Sequence, residues 1–314
     1  MRPFRFGVIP STVRRLPLEW IPAVKRFEAL GYSTVFQCDH FNTKDYDPIA
    51  MLASAASVTK TLNIGTFVFA VDYRHPVILA KAAATLHLLS GGRFEFGIGA
   101  GYQPYDYNMA GIPLDSAGKR VERLEEALKI IKGMWTQERM SFSGKHYQVT
   151  DIEKAGELPE GEHPKIMIGG GGRKMLRLAA QYAGIVNIIP RWRGSWGKGI
   201  QDQTLDGIKD KIELVKTAAV EFGREPEDIE FQLYLVWNDL SDKPEPIREN
   251  IAKTFNISVE DVENSIYVMV GSSKDIIKKI RTLNRETGVN YFVFDLRGGQ
   301  FEEYAESIIK PLIQ

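Results

Sequence analysis

The sequence predicts an α/β protein, a (β/α)8 TIM barrel with insertions after its strands. Three observations carry that expectation. Eight apolar, β-branched or aromatic runs of strand length recur along the 314 residues. Segments with helical periodicity lie between them. Eight strands alternating with helices over about 250–300 residues is the barrel pattern. Several runs are almost continuously apolar, as parallel strands covered on both faces should be. An open, doubly wound sheet shows the same alternation, which does not by itself distinguish closure.

The first run, Phe4–Pro10, sets Phe and Arg before Gly-Val-Ile. Thr34–Asp39 and Leu62–Ala70 follow, rich in the β-branched and aromatic types that fit a pleated, half-buried surface. Arg93–Gly99 is the fourth, Lys165–Gly169 the fifth, Ile185–Pro190 the sixth, Glu230–Asn238 the seventh and Tyr291–Leu296 the eighth. Among the helices, Lys119–Glu138 carries the stripe Leu124, Leu128, Ile131 and Trp135. Another opens at Ser272, where Ser272-Ser-Lys-Asp275 has the form of a capping box ahead of Ile276, Ile280 and Leu283. In the last, Phe301, Tyr304, Ala305, Ile308, Ile309 and Leu312 make one face apolar.

Three stretches exceed a simple connection. Met140–Glu162 opens with a hairpin-like segment. Arg191–Asp206 is rich in Gly, Trp and Arg and follows the sixth strand, which makes it a candidate substrate loop. Asp239–Ser265 carries Pro244 and Pro246 and short helices. No repeat, low-complexity tract or linker interrupts residues 1–314, so a single domain is expected.

Forty basic and forty acidic side chains give a formal net charge of zero, which removes the electrostatic footprint of a general nucleic-acid binder. Cys38 is the only cysteine, leaving neither an internal disulfide nor a cysteine-rich zinc site. No apolar run approaches the ~20 residues that span a bilayer. The opening Met1-Arg-Pro-Phe-Arg-Phe-Gly7 has no signal-peptide pattern. A reducing, cytoplasmic setting without a membrane or nucleic-acid partner is expected.

Gly97-Ile-Gly99-Ala-Gly101 ends the fourth run and fails the dinucleotide fingerprint. Counting from Gly97 the third glycine falls on Tyr102, and from Gly99 on Pro104. Tyr102-Gln-Pro-Tyr-Asp-Tyr107 reads as a loop, not the helix start that fingerprint needs. Glycines there let a flat ring approach the backbone, or simply make a tight turn. Gly169-Gly-Gly-Gly172-Arg173-Lys174 lies between the fifth run and the helix Met175–Ala183. It lacks the Gly-Lys-Ser/Thr of a Walker loop, yet exposed N–H groups and a helix start have the physics of an anion site. Arg173 or Lys174 would add charge, and phosphate is the natural occupant.

Asp39-His40-Phe41 closes the second run, which aims His40 at the barrel mouth as a proton donor or acceptor, or as a structural histidine. His75, His87, His146 and His163 show no ligand pairing, so no metal is expected. Glu95 alternates away from Phe94 and Phe96 and belongs inside the barrel with a basic partner, rather than acting as a general acid. No Gly-x-Ser-x-Gly occurs, so there is no nucleophile elbow.

Together, Gly31-Tyr-Ser-Thr-Val-Phe-Gln-Cys-Asp-His-Phe41, Leu62-Asn-Ile-Gly-Thr-Phe-Val-Phe69, Arg74-His-Pro-Val-Ile-Leu-Ala-Lys81, Leu88-Leu-Ser-Gly-Gly-Arg-Phe-Glu-Phe-Gly-Ile-Gly-Ala-Gly101 and Pro164-Lys-Ile-Met-Ile-Gly-Gly-Gly-Gly172 resemble the luciferase-like monooxygenase superfamily. The likeness is strongest to its branch using the deazaflavin coenzyme F420, and it covers essentially the whole chain. The resemblance implies a barrel, usually dimeric, that holds a flavin or deazaflavin at the carboxyl ends of its strands. Asp39 and His40 match an Asp-His pair of the deazaflavin branch. His40 is then the catalytic residue near the ring, and Asp39 orients it or contacts the cofactor. The resemblance also implies a non-proline cis peptide at Phe67–Val68 behind the ring. Gly99, Ala100 and Gly101 would contact the cofactor, and Gly169, Gly170, Gly171, Gly172 and Arg173 would bind its phosphate.

Two departures stand out. Ala183-Gly184 replaces the Ala-Asp that relatives often carry before strand six. Tyr102 stands where a sugar-phosphate dehydrogenase relative has a carboxylate, which argues against that substrate. The implied function is hydride transfer between coenzyme F420 and a small organic substrate, with Tyr102, Trp192 and Trp196 lining an apolar substrate region. The rivals are an FMN-dependent two-component monooxygenase fed by a separate reductase, and a barrel that binds flavin without turnover.

Overall fold

The computed structural model describes residues 2–11, 17–41, 45–159, 161–191, 200–296 and 299–314. Eight parallel strands form a ring: Arg5–Ile9, Thr34–Gln37, Asn63–Thr66, Phe94–Gly99, Lys165–Gly170, Ile185–Ile188, Glu230–Leu235 and Tyr291–Asp295. Each pairs with its neighbours in sequence order, and the first pairs with the eighth across Phe6↔Phe292 and Val8↔Phe294. The third meets the fourth across Ile64↔Phe94, which completes the circle. The sheet is therefore a closed barrel, and the open-sheet alternative is excluded.

Period-two alternation sorts the strand side chains. Phe6, Val8, Val35, Ile64, Phe96, Ile98, Ile166, Val186, Leu233 and Phe294 point outward into the core shared with the helices. Phe36, Cys38, Met167, Ile185, Tyr291 and Val293 point inward and fill the barrel. Two inward positions are glycine because Phe36 occupies their space. A Cβ on Gly7 would lie 2.7 Å from the Phe36 ring, and one on Gly65 would lie 2.5 Å from it. The helical stripe Leu124, Leu128, Ile131 and Trp135 is buried as its spacing predicts, with Trp135 Nε1 donating to the Ala80 carbonyl at 2.9 Å. The Ser272–Asp275 capping box forms in full at the start of helix Ser273–Thr287.

The amino-terminal end of the barrel is closed by polar side chains. Arg5 pairs with Glu95 and, at 2.7 Å, with Glu230. Tyr291 Oη donates to Glu95 Oε2 at 2.8 Å and lies 2.6 Å from Thr34 Oγ1. Lys165 reaches Glu230 at 3.1 Å. Glu95 is thus an inward, structural carboxylate with a basic partner, far along its strand from the mouth.

A second clamp sits outside the barrel. Glu28, on helix Pro17–Ala29, accepts from the backbone N–H groups of Lys60, Thr61 and Leu62 at 2.7, 2.6 and 3.0 Å. Burial raises its carboxyl pKa, but those N–H bonds outweigh it and hold the value down to about 2. A carboxylate lowered on folding stabilises fully above its ordinary value of 4.5 and loses that contribution as pH falls through about 2. Glu28→Gln should therefore cost about 1–3 kcal/mol at pH 7, towards the lower end because the site is partly solvated. The gap between the urea midpoints of the two proteins should close as the pH falls from 4.5 towards 2. A gap independent of pH would refute the assignment.

The structure corrects four sequence expectations. The seventh run divides: Glu230–Leu235 stays in the barrel, while Trp237–Leu240 pairs in parallel with Val268–Gly271 in a separate sheet. The Val236 N–H goes to the Tyr267 carbonyl instead of continuing the barrel ladder. Val268–Gly271 itself was not anticipated, being a short apolar run directly ahead of a helix cap. The third run breaks into Asn63–Thr66 and Phe69–Ala70. Tyr102–Tyr107 is not all loop, since Pro104–Ala110 is a short helix, and the helix after the glycine run starts at Arg173. The hairpin Arg139–Ser143/Gln148–Glu153 and the helices Glu245–Phe255 and Val259–Asn264 lie where the long stretches predict insertions. Among the described residues no helix is long and apolar enough to cross a membrane.

Candidate active site

The site lies at the carboxyl ends of the strands, where loops from different strands converge. His40 follows the second strand, and its Nδ1 lies 2.6 Å from Oδ2 of Asp106. Asp106 belongs to the short helix after the fourth strand. Its other carboxylate oxygen accepts from the Phe41 N–H at 3.2 Å, and the Tyr73 hydroxyl bonds to the same group. Burial, followed by the charges of Asp106 and Asp39, raises the Tyr73 phenol pKa well above its ordinary value. The Asp106 side chain is 2% exposed and that of His40 is 27% exposed, so the imidazole has one buried edge and one open to the mouth. Tyr102 stands edge-on to the His40 ring, with centroids 6.2 Å apart. Phe41 packs against Tyr73 at 4.4 Å.

Asp39 does not orient His40. Its carboxylate is held by Arg74, whose guanidinium reaches both oxygens at 2.8 and 2.7 Å, and by the Ala70 N–H at 3.2 Å. Burial raises the Asp39 pKa, with Arg74 pulling in the opposite direction. Because Ala70 lies just beyond the break in the third strand, Asp39 and Arg74 tie the second strand to that break.

The Phe67–Val68 peptide is cis, at the position the resemblance implies. Gly99 sits against it: a Cβ there would lie 3.0 Å from Val68 Cγ2. Gly101 is glycine for another reason. Its φ is +70°, and a Cβ would fall 1.9 Å from Tyr107 Oη, a hydroxyl that donates to Asp72 at 2.7 Å. Arg120 Nε donates to the Ala100 carbonyl at 3.2 Å and holds the turn.

The glycine run divides by role. Gly170 and Gly171 make room for the protein itself. A Cβ would lie 2.7 Å from Met175 Cβ at the first and 2.3 Å from the Ile189 carbonyl at the second. Gly169 has only ordinary contact with Asn187. At Gly172 a Cβ would meet nothing within 4 Å, and the residue precedes helix Arg173–Tyr182 without a side-chain cap. The first N–H groups of that helix have no intrahelical acceptor and, with the positive end of its dipole, fit a phosphate.

This gives a test independent of turnover. Gly172 has the extended backbone of an N-cap, with φ −89° and ψ 148°, so Gly172→Asp should fold normally and its carboxylate should cap the helix. The same carboxylate would repel a phosphate, so anionic cofactor affinity should fall at least ~10-fold, or about 1.4 kcal/mol, in a fluorescence titration. Undiminished affinity in a variant with unchanged melting would remove the phosphate from this helix start.

The structure gathers His40, Asp39, the Phe67–Val68 bulge, Gly99–Gly101 and Tyr102 around the mouth. Trp192 and Trp196 lie outside the described residues. Asp106 was missed because its partner is 66 residues away in sequence. The one signal was an acid flanked by aromatic residues in Tyr105-Asp-Tyr107. Among the described residues no cluster of three or more His, Cys, Asp or Glu side chains forms a metal site.

The family model for luciferase-like monooxygenase matches residues 19–255. An F420-dependent glucose-6-phosphate dehydrogenase of Amycolatopsis mediterranei is 28% identical over 218 residues, 66% of this chain and 63% of that one. A protein of the same name from Kribbella flavida is 25% identical over 337 aligned positions, 98% of this chain and 97% of that one. The chain spans between 51% and 63% of the length of several curated relatives it matches. The structure of an F420-dependent secondary alcohol dehydrogenase in complex with an F420-acetone adduct has a TM-score of 0.80 over 100% of both chains at 18% identity, a likeness of fold.

Proposed function

The chain belongs to the luciferase-like monooxygenase family, and from that premise we propose that it is an oxidoreductase moving a hydride between the deazaflavin coenzyme F420 and a small organic substrate. The observation that carries this reading is the His40 imidazole, partly exposed at the mouth and held from behind by a buried carboxylate. The F420-dependent names of the relatives support it.

When bound, the deazaflavin supplies a two-electron hydride carrier that does not normally activate oxygen. The remaining work falls to the chain's own residues. Gly172, Arg173 and the helix they begin would hold the phosphate. Phe67, Val68 and the Gly99–Gly101 turn would form the floor beneath the ring, with Asp39 and Arg74 bracing the bulge. His40 would give or take the proton that keeps charge balanced as the substrate gains or loses a hydride. Tyr102 and the Phe41–Tyr73 pair would keep water from the substrate. Tyr102 offers no carboxylate, which sets the substrate apart from a sugar phosphate. One domain over residues 1–314, a homodimer, a separate reductase that recycles the coenzyme and a cytoplasmic location complete the proposal.

Titration of the purified protein with oxidised deazaflavin and with flavin mononucleotide decides the cofactor. Quenching of deazaflavin fluorescence at micromolar protein is expected. Binding of flavin mononucleotide alone, with oxygen-dependent turnover, would establish the monooxygenase instead.

A further inference from the structure

We infer that Asp106 is a positioning residue: it fixes His40 as the Nδ1–H tautomer and leaves Nε2 as the atom that exchanges the proton. The role of His40 in catalysis rests on the functional reading above, whereas the tautomer rests on geometry alone. An ionised carboxylate only accepts hydrogen bonds, so the 2.6 Å contact with His40 Nδ1 requires a hydrogen on that nitrogen. Three donors converge on the one carboxylate: His40 Nδ1, the Phe41 N–H and the Tyr73 hydroxyl. Donors on several sides keep it from rotating away.

The helix that carries Asp106 is anchored as well. The next residue, Tyr107, is fully buried and donates to Asp72 at 2.7 Å, and Asp72 in turn pairs with Arg123. Tyr107 Oη also fills the space beneath Gly101, so the turn at the mouth and the acid behind the histidine are set by one side chain. Because Nδ1 faces the buried carboxylate, Nε2 lies on the open edge of the ring. A histidine whose second nitrogen is held by an acid presents a defined acceptor to its substrate.

Nitrogen-15 NMR of histidine-labelled protein without cofactor reads the tautomer directly. In the natural chain His40 should show a protonated Nδ1 and a bare Nε2 when neutral. In Asp106→Ala the signature should shift towards Nε2–H, the form a free side chain prefers. Asp106→Asn is the gentler replacement. Its amide keeps one acceptor oxygen for three donors, so the Nδ1–H population should fall there too, and melting curves verify that each variant is folded. Turnover of any deazaflavin-dependent substrate should fall on the order of 10²-fold in Asp106→Asn.

Nδ1–H populations unchanged in both folded variants, or an Nε2–H form in the natural chain, would overturn the inference. Failure of the natural chain to bind deazaflavin is a different result. It would remove the cofactor reading and leave the tautomer measurement standing.

Discussion

His40→Ala should slow hydride transfer by about 10²–10⁴-fold, the range for losing a positioned general acid or base, while deazaflavin affinity stays within a few-fold of the natural chain. The two effects separate because the imidazole and the proposed anion cradle follow different strands. His40 follows the second strand, and Gly172 follows the fifth. A loss of 10³ corresponds to about 4 kcal/mol of transition-state stabilisation, far more than one solvated contact supplies. Single-turnover stopped-flow recording of deazaflavin absorbance measures the step. A screen of small organic compounds for deazaflavin-dependent turnover supplies the assay. Gly172→Asp should behave in the opposite way, losing affinity with little change in the bound rate. Turnover in His40→Ala equal to that of the natural chain would take the proton role away from this histidine.

Arg5→Met should destabilise the fold by about 3–5 kcal/mol, the cost of stranding a buried charge when its partner is removed. Arg5 closes the amino-terminal end of the barrel against two carboxylates whose side chains are only 6% and 4% exposed, Glu95 and Glu230. Glu230 keeps Lys165 and Asn290, but among the described residues Glu95 keeps only the Tyr291 hydroxyl. The largest share of the loss therefore belongs to Glu95. Methionine is close in volume to the arginine stem, so little of the effect is cavity.

Arg5→Met/Glu95→Gln should recover part of the deficit, since residues sharing one network are non-additive. Urea unfolding followed by circular dichroism gives the numbers. The pH dependence has a definite sign. Burial raises the Glu230 pKa, but Arg5 and then Lys165 outweigh it and leave the net value lowered. Its stabilisation is thus present above the ordinary carboxylate range and lost as pH falls through the lowered value. Arg5→Met should flatten that acid-side loss. A deficit under 1 kcal/mol would mean that the cluster contributes little to stability.

Local pattern carried much of the fold. Each of the eight barrel strands lies within one of the apolar runs, give or take a terminal residue, because a strand covered on both faces must be apolar over its own length. Ser272–Asp275 could be read as a cap, since its partners are three residues apart. Glu95 could be placed indoors by alternation alone. The chain's failures of prediction also share a cause. Nothing local in Glu230–Asn238 tells that the ladder ends at Leu235, because the Val236 N–H is taken by Tyr267, which comes from a later insertion. The glycine run looked uniform, yet Gly171 is glycine because the Ile189 carbonyl presses on it, while Gly172 is open.

By itself the sequence determined the alternation of strands and helices, a single cysteine with no second one to pair with in the chain, and the residues that carry the family likeness. Each of these is a property of a residue and its near neighbours. Tertiary structure alone decided that the first strand meets the eighth, that Arg74 engages the Asp39 carboxylate, and that Asp106 stands behind His40. The two side-chain contacts join residues 35 and 66 positions apart, and the strand pairing joins Phe6 to Phe292, separations where neither side-chain periodicity nor capping patterns extend. The chain closes such distances only when burial of both partners in one core outweighs the entropy of the loop between them.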